Sequence, residues 1–85
     1  MQGDQEQQER QLIAVIHKSA TQEIRVSLSM FRGRSFGDLR LFVLNQQGDW
    51  IPTQKGCMVG VEQLEELEEA VLKLRNAAEH STHPF

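Results

Sequence analysis

"EIRVSLSMFRGRSFGDLRLFVL", residues 23–44, is the stretch that decides the fold. Its first half alternates. Ile24, Val26, Leu28 and Met30 fall on one side of an extended chain, and Arg25, Ser27, Ser29 and Phe31 on the other. That two-residue period is the mark of a half-buried strand. The second half repeats it, with Leu39, Leu41 and Val43 on one side and Phe36, Asp38, Arg40 and Phe42 on the other. Gly33 between the halves marks a tight turn, so the whole stretch reads as a β-hairpin. One face of that hairpin is aliphatic. The other mixes arginine with phenylalanine, and Arg32 and Arg34 flank the turn itself.

Working outward, "LIAVIHK" (12–18) is an apolar run of strand length, and "SATQ" is the loop that follows it. On the far side, "NQQGD" (45–49) is a turn signal, and "WIPT" (50–53) reads as a short strand. Pro52 confines that strand to a sheet edge or end, because it cannot donate to a ladder. The helix follows. Val61, Leu64, Leu67, Val71, Leu74 and Ala78 recur at three- and four-residue spacing, which makes one apolar stripe, with Leu72 on its flank. Glutamates crowd its first turns while Lys73 and Arg75 come late, the order the helix dipole favours. The acidic run "EQLEELEE" is the solvated side of this helix. The strands therefore build a sheet whose aliphatic face the helix covers.

Composition sets the limits. The chain has 85 residues, 39% hydrophobic and 25% charged, as for one small globular domain near the size where a core gives only marginal stability. Cys57 is the single cysteine, which excludes a disulfide within the chain and a two-cysteine metal site. Stability is then expected to come from association, so a homo-oligomer is the expectation. No apolar run reaches membrane-spanning length, and "MQGDQEQQERQ" resembles neither a signal nor a transit peptide. A cytoplasmic or nucleoid-associated protein is expected, or a nuclear one in a eukaryote. Residues 1–11 read as a disordered polar tail, 12–78 as the domain, and 79–85 as a flexible C-terminal tail.

The net charge of −3 is unevenly spread. Residues 1–11 carry −2, residues 12–60 carry +3, and residues 61–85 carry −4. A basic middle between acidic ends points to one face for an anionic partner. With the aliphatic side turned inward, Arg25, Phe31, Phe36, Arg40 and Phe42 face water, with Arg32 and Arg34 at the tip. Exposed phenylalanines call for a covering. One covering is a protein partner, or a second sheet or subunit over Phe36 and Phe42. The other is nucleic acid, with unpaired bases stacked on the rings and guanidiniums on phosphates. Duplex DNA hides its base faces, so the second covering is a single strand.

At this point the residues resemble the positive cofactor four family of transcriptional coactivators. The likeness lies in the order of "IRVSLSM", "FRGR" (31–34), "DLRLF" (38–42), "NQQGD", Pro52, "QKG" (54–56) and "VEQLEEL" (61–67). The resemblance implies an α+β fold: a four-stranded antiparallel sheet followed by a C-terminal amphipathic helix, dimerising. It implies single-stranded DNA binding without strong sequence preference, in transcription, replication, recombination or repair. Carried across by position, Phe31 stacks on a base, and Arg32, Arg34, Arg40 and Lys55 meet phosphates. Lys18 matches a basic residue of the first strand if the first hairpin is longer here, and Arg25 joins the set from its place on the basic face. The family has a DNA-stacking Trp where this chain has Val43, so Phe42 or Trp50 is the substitute ring. It also tends to carry a basic residue where Gln54 stands here. Leu64, Leu67, Val71 and Leu74 are assigned to the dimer interface.

Other chemistry finds little support. Catalysis needs a nucleophile–base pair or paired carboxylates in a concave site, whereas the acids here lie mostly along one helix. His80 and His83 are three apart, but no cysteine or further histidine accompanies them. No enzyme activity, cofactor, metal, membrane or small-molecule substrate is expected. A protein-interaction module or an RNA-binding domain using the same Phe/Arg face is the alternative. Pro84-Phe85 looks like the end of bacterial single-stranded-DNA-binding proteins, which recruit replication partners there, so replication or transcription proteins are further candidate partners.

Overall fold

The computed structural model describes residues 9–80. Four strands follow one another: β1 (Glu9–Ser19), β2 (Gln22–Phe31), β3 (Arg34–Leu44) and β4 (Trp50–Gly60). A 3-10 turn (Val61–Gln63) then leads into α1 (Leu64–Glu79). The sheet is an antiparallel meander in the order β1-β2-β3-β4. The expected α+β architecture is the one observed.

β2 and β3 pair in unbroken register from Gln22↔Val43 to Phe31↔Arg34, which puts the two alternations in phase. Arg25 therefore stands opposite Arg40, Ser27 opposite Asp38, and Ser29 opposite Phe36. The turn between the strands has positive φ at both central residues, Arg32 (55°) and Gly33 (77°). That is the sign pattern of a type I′ hairpin, whose twist matches that of the strands. At the β3–β4 turn, the Asn45 side-chain Oδ1 accepts from the backbone N–H groups of Gln47 and Asp49, each at 2.9 Å.

The outer strands are longer than their apolar runs. β1 begins at Glu9, where a disordered tail was expected through residue 11: Glu9, Arg10 and Gln11 pair with Met30, Ser29 and Leu28. Ladder hydrogen bonds need backbone alone, so polar side chains do not end the strand. The first eight residues of that expected tail lie outside the described residues. β4 continues past Pro52 to Gly60 through a bulge that breaks the register between Arg40↔Gly56 and Phe42↔Pro52. Thr53 Oγ1 closes this bulge, donating to the Leu41 carbonyl at 2.9 Å and accepting from the Lys55 N–H at 3.1 Å. Gly56 (φ 150°) is required there, since a Cβ would strike the Leu39 carbonyl oxygen and the Arg40 Cα.

The helix departs from expectation in what it covers. Leu64 and Leu67 approach the aliphatic side of the sheet and line, with Ile13, Val26, Leu28 and Leu39, an open cleft of about 300 Å³. Gly37 lets Leu64 come close, because a Cβ there would lie 3.1 Å from Leu64 Cδ2. Beyond Leu67 the stripe leaves the sheet, and Val71, Leu72 and Leu74 are exposed. The helix therefore covers the sheet only at its first turns. Among the described residues no apolar side chain is buried; the buried polar ones are Glu23, Ser27, Ser29 and Asp38.

Candidate nucleic-acid interface

The register lays out the arginine–phenylalanine face in rows. β3 contributes Arg34, Phe36, Asp38, Arg40 and Phe42; β2 contributes Phe31, Ser29, Ser27, Arg25 and Glu23; Arg10 and His17 of β1 lie alongside. The Phe31–Arg34 turn is at one end. Trp50, paired with Leu44, is at the other. Phe36 and Phe42 are six residues apart on one strand, which separates their rings by roughly 20 Å at about 3.3 Å per residue.

At the tip the groups are available. Phe31 is 41% exposed, and the Arg32 guanidinium lies 5.2 Å from the centre of its ring. Arg34 sits 5.8 Å from the Phe36 ring. Neither Arg32 nor Arg34 forms an ion pair among the described residues. Here a stacking ring and two guanidiniums stand together on a projecting turn. Phe31, Arg32 and Arg34 are thus brought together at the turn, with the Phe31 ring open to solvent.

The centre of the face is different. Arg25 Nε donates to Glu23 Oε2 at 2.7 Å and its guanidinium covers the Phe42 ring at 4.3 Å. Arg40 donates to Asp38 Oδ1 and to the Thr53 carbonyl, both at 3.1 Å. Arg10 Nη2 lies 3.6 Å from Asp38 Oδ2, and His17 Nδ1 lies 3.6 Å from Glu23 Oε1. The expected phosphate ligands Arg25 and Arg40 are thus held by carboxylates, and one side of the Phe42 ring is occupied by Arg25. Arg10, counted in the tail, joins this centre. The signal for these contacts is in the sequence: Glu23-x-Arg25 and Asp38-x-Arg40 put opposite charges on one side of a strand.

Lys18 and Lys55 are brought together, but away from the tip. Both line a depression with Ile24, Leu39, Leu41 and Cys57 on the aliphatic side of the sheet. Each occupies a bulge, Lys18 between His17 and Ser19 and Lys55 within β4, where strand alternation does not assign a face. Trp50 is half-buried, on the side of Phe42 by register. Pro84-Phe85 and His83 lie outside the described residues.

This sheet-and-helix arrangement is that of solved PC4 homologues. A PC4 homolog from Burkholderia pseudomallei K96243 is 37% identical, in a tetragonal crystal form covering 79% of this chain and 98% of its own at TM-score 0.73. Its orthorhombic form covers 84% and 92% at TM-score 0.72. A bacteriophage T5 homolog of the eukaryotic transcription coactivator PC4, implicated in recombination-dependent DNA replication, shares the fold at 23% identity and TM-score 0.67, covering 84% of this chain and 82% of its own. No curated protein matches the chain. The family described as Transcriptional Coactivator p15 (PC4) matches residues 18–70, and the chain belongs to it. No helix among the described residues is long and apolar enough to cross a membrane.

Proposed function

We propose that this protein is a non-catalytic, homodimeric single-stranded DNA-binding protein with little sequence preference. The observation that carries the proposal is the tip of the β2–β3 hairpin, where an exposed Phe31 stands beside the Arg32 guanidinium and opposite Arg34, and neither arginine has a carboxylate partner among the described residues. Rings stack on any unpaired base, each stack contributing about 1–3 kcal/mol, and arginines on the backbone add affinity blind to sequence. Phe36, Phe42 and Trp50 extend the platform along the face, with Arg25 and Arg40 between them as phosphate ligands. Lys18 and Lys55 add positive charge at the far end of the sheet. Membership of the PC4 family supports the DNA partner, and the T5 relative supports a role beyond transcription.

The homodimer rests on the other side of the sheet. Ile13, Ile16, Val71 and Leu74 are exposed in the single chain, and large apolar side chains gathered on the sheet and the helix in this way call for a covering. A second copy brings the same surface, and a two-fold interface uses one patch twice. Leu64, Leu67, Val71 and Leu74 lie at its centre.

The test is titration with single-stranded oligonucleotides, the matching duplex and single-stranded RNA at two salt concentrations, followed by Trp50 fluorescence. Single-stranded DNA is expected to bind more tightly than duplex and to weaken steeply with salt. Equal binding of duplex defeats the stacking model. Affinity that ignores salt indicates a protein partner, and preference for RNA moves the partner to the ribose-bearing strand. Sedimentation equilibrium on the same preparation reads the dimer.

A further inference from the structure

Glu23 and Asp38 stand where a phosphate-attracting face has least use for them. They are 5% and 2% exposed, and each places a carboxylate beneath arginines that a nucleic acid is to meet. A buried charge is tolerated only when it is paired and hydrogen-bonded, and neutral amides of the same shape would leave the face more positive. Electrostatic attraction alone gives no reason for these two acids.

Their geometry supplies one. Each carboxylate takes the arginine two residues along its own strand, Glu23 taking Arg25 and Asp38 taking Arg40. The second oxygen of each faces a side chain of β1 at 3.6 Å, the His17 ring for Glu23 and the Arg10 guanidinium for Asp38. Arg25 and Arg40 are register partners, so two like charges face one another directly across the β2–β3 ladder. That placement is unfavourable, and unrestrained side chains would swing apart into solvent. Instead, Arg40 is tied to both Asp38 and the Thr53 carbonyl. Arg25 is tied through Nε and laid on Phe42, and its Nη groups make no hydrogen bond among the described residues.

We propose that Glu23 and Asp38 are positioning residues for single-strand binding: they hold Arg25 and Arg40 side by side as one prearranged phosphate seat. The proposal rests on the single-strand reading above. Arginine presents a planar fork suited to phosphate, but only when its orientation is fixed in advance. The carboxylates give up some positive potential to fix it.

The experiment compares Asp38→Asn, Glu23→Gln and Arg40→Lys with the wild-type chain, all confirmed folded by circular dichroism. Attraction alone predicts that the two amide variants bind single-stranded DNA more tightly. Positioning predicts the opposite sign, an affinity lower by about fivefold for each. It also predicts a log–log salt slope shallower by about 0.7, one phosphate contact. A merely structural destabilisation leaves that slope unchanged in the folded fraction. Arg40→Lys keeps the charge and loses the fork, so it is expected to bind more weakly too, and it reads the seat if the amide variants do not fold. Arginine Nε–H signals in the nuclear magnetic resonance spectrum of the free protein are expected to be slowed in the wild type and to exchange faster in Glu23→Gln. Tighter binding by either folded amide variant, or full affinity in Arg40→Lys, overturns the proposal while leaving the single-strand reading intact. Absence of single-strand binding by the wild type removes both.

Discussion

The two sides of this sheet invert the usual order of a folded protein. On the arginine–phenylalanine side the buried groups are polar, Glu23, Ser27, Ser29 and Asp38, and the two carboxylates hold arginines at 2.7–3.6 Å. On the aliphatic side, residues suited to a core are open, with Ile13 57% and Leu74 68% exposed. At the centre of the polar side, the carboxylates find their partners within the one chain, on their own strand and on β1. The aliphatic side is left uncovered by its own chain. Burying one large aliphatic side chain contributes about 1.5–3 kcal/mol, so several left in water are a strong drive toward association.

The most forceful way to break this contrast is to charge the aliphatic side. Val71 is 51% exposed in the single chain, and a charge at an exposed helix position ordinarily changes stability by less than about 0.5 kcal/mol. Buried in a dimer, an unpaired carboxylate costs several times that. Val71→Asp is expected to give monomers by sedimentation equilibrium and a stability loss of about 3 kcal/mol in chemical denaturation. A variant as stable and as dimeric as the parent defeats the claim that a second copy covers α1.

Next in size is the sheet that both sides share. Gly56→Ala puts a methyl group against the Leu39 carbonyl oxygen and the Arg40 Cα, at a φ that disfavours any Cβ. The β4 bulge must shift, at a cost of about 2 kcal/mol in thermal or chemical unfolding. Because Arg40 is tied to the Thr53 carbonyl of that bulge, single-strand affinity is expected to fall as well. Stability equal to the parent's would mean that β4 is not held against β3 as described.

Phe31→Ala sharpens the contrast from the polar side. The ring is exposed at the hairpin tip, so its removal leaves the fold and melting temperature near those of the parent. Single-strand affinity is expected to drop about tenfold, within the range of one lost base stack. A collapse in stability would show the ring to be structural.

How much of this could be read from the chain alone depended on whether side chains reported their own environment. β2 and β3 were legible because every second residue from Ile24 to Met30 and from Leu39 to Val43 is apolar. The start of β1 was not, since Glu9-Arg10-Gln11 pairs through backbone alone, nor was the second half of β4, where the Lys55–Gly56 bulge breaks the period. An apolar stripe on α1 states that something covers it without saying which chain does. The same holds for the site. Phe31, Arg32 and Arg34 are fixed by the turn and stood where expected, whereas Lys18 and Lys55 sit in bulges. Arg25 and Arg40 carried their partners two residues away, as Glu23 and Asp38, and the pairing needed only the strand period to be seen.

The smallest expected effect lies at the turn, where the needs of the fold and of the ligand conflict. Arg32 has a φ of 55°, a left-handed conformation in which a long side chain is disfavoured by about 1 kcal/mol. Asn is the residue such a position favours before Gly, because its short side chain tolerates that region. Arg32→Asn is therefore expected to stabilise the hairpin by about 0.5 kcal/mol and raise the melting temperature by a few degrees. The same change removes a guanidinium beside Phe31, so single-strand affinity should fall by about threefold and the salt slope by about 0.7. The two readouts move in opposite directions only if Arg32 is kept at a strained position for its charge. Should affinity hold while stability rises, the tip makes no phosphate contact through Arg32, and the central pair, Arg25 and Arg40, is left as the principal seat for the backbone.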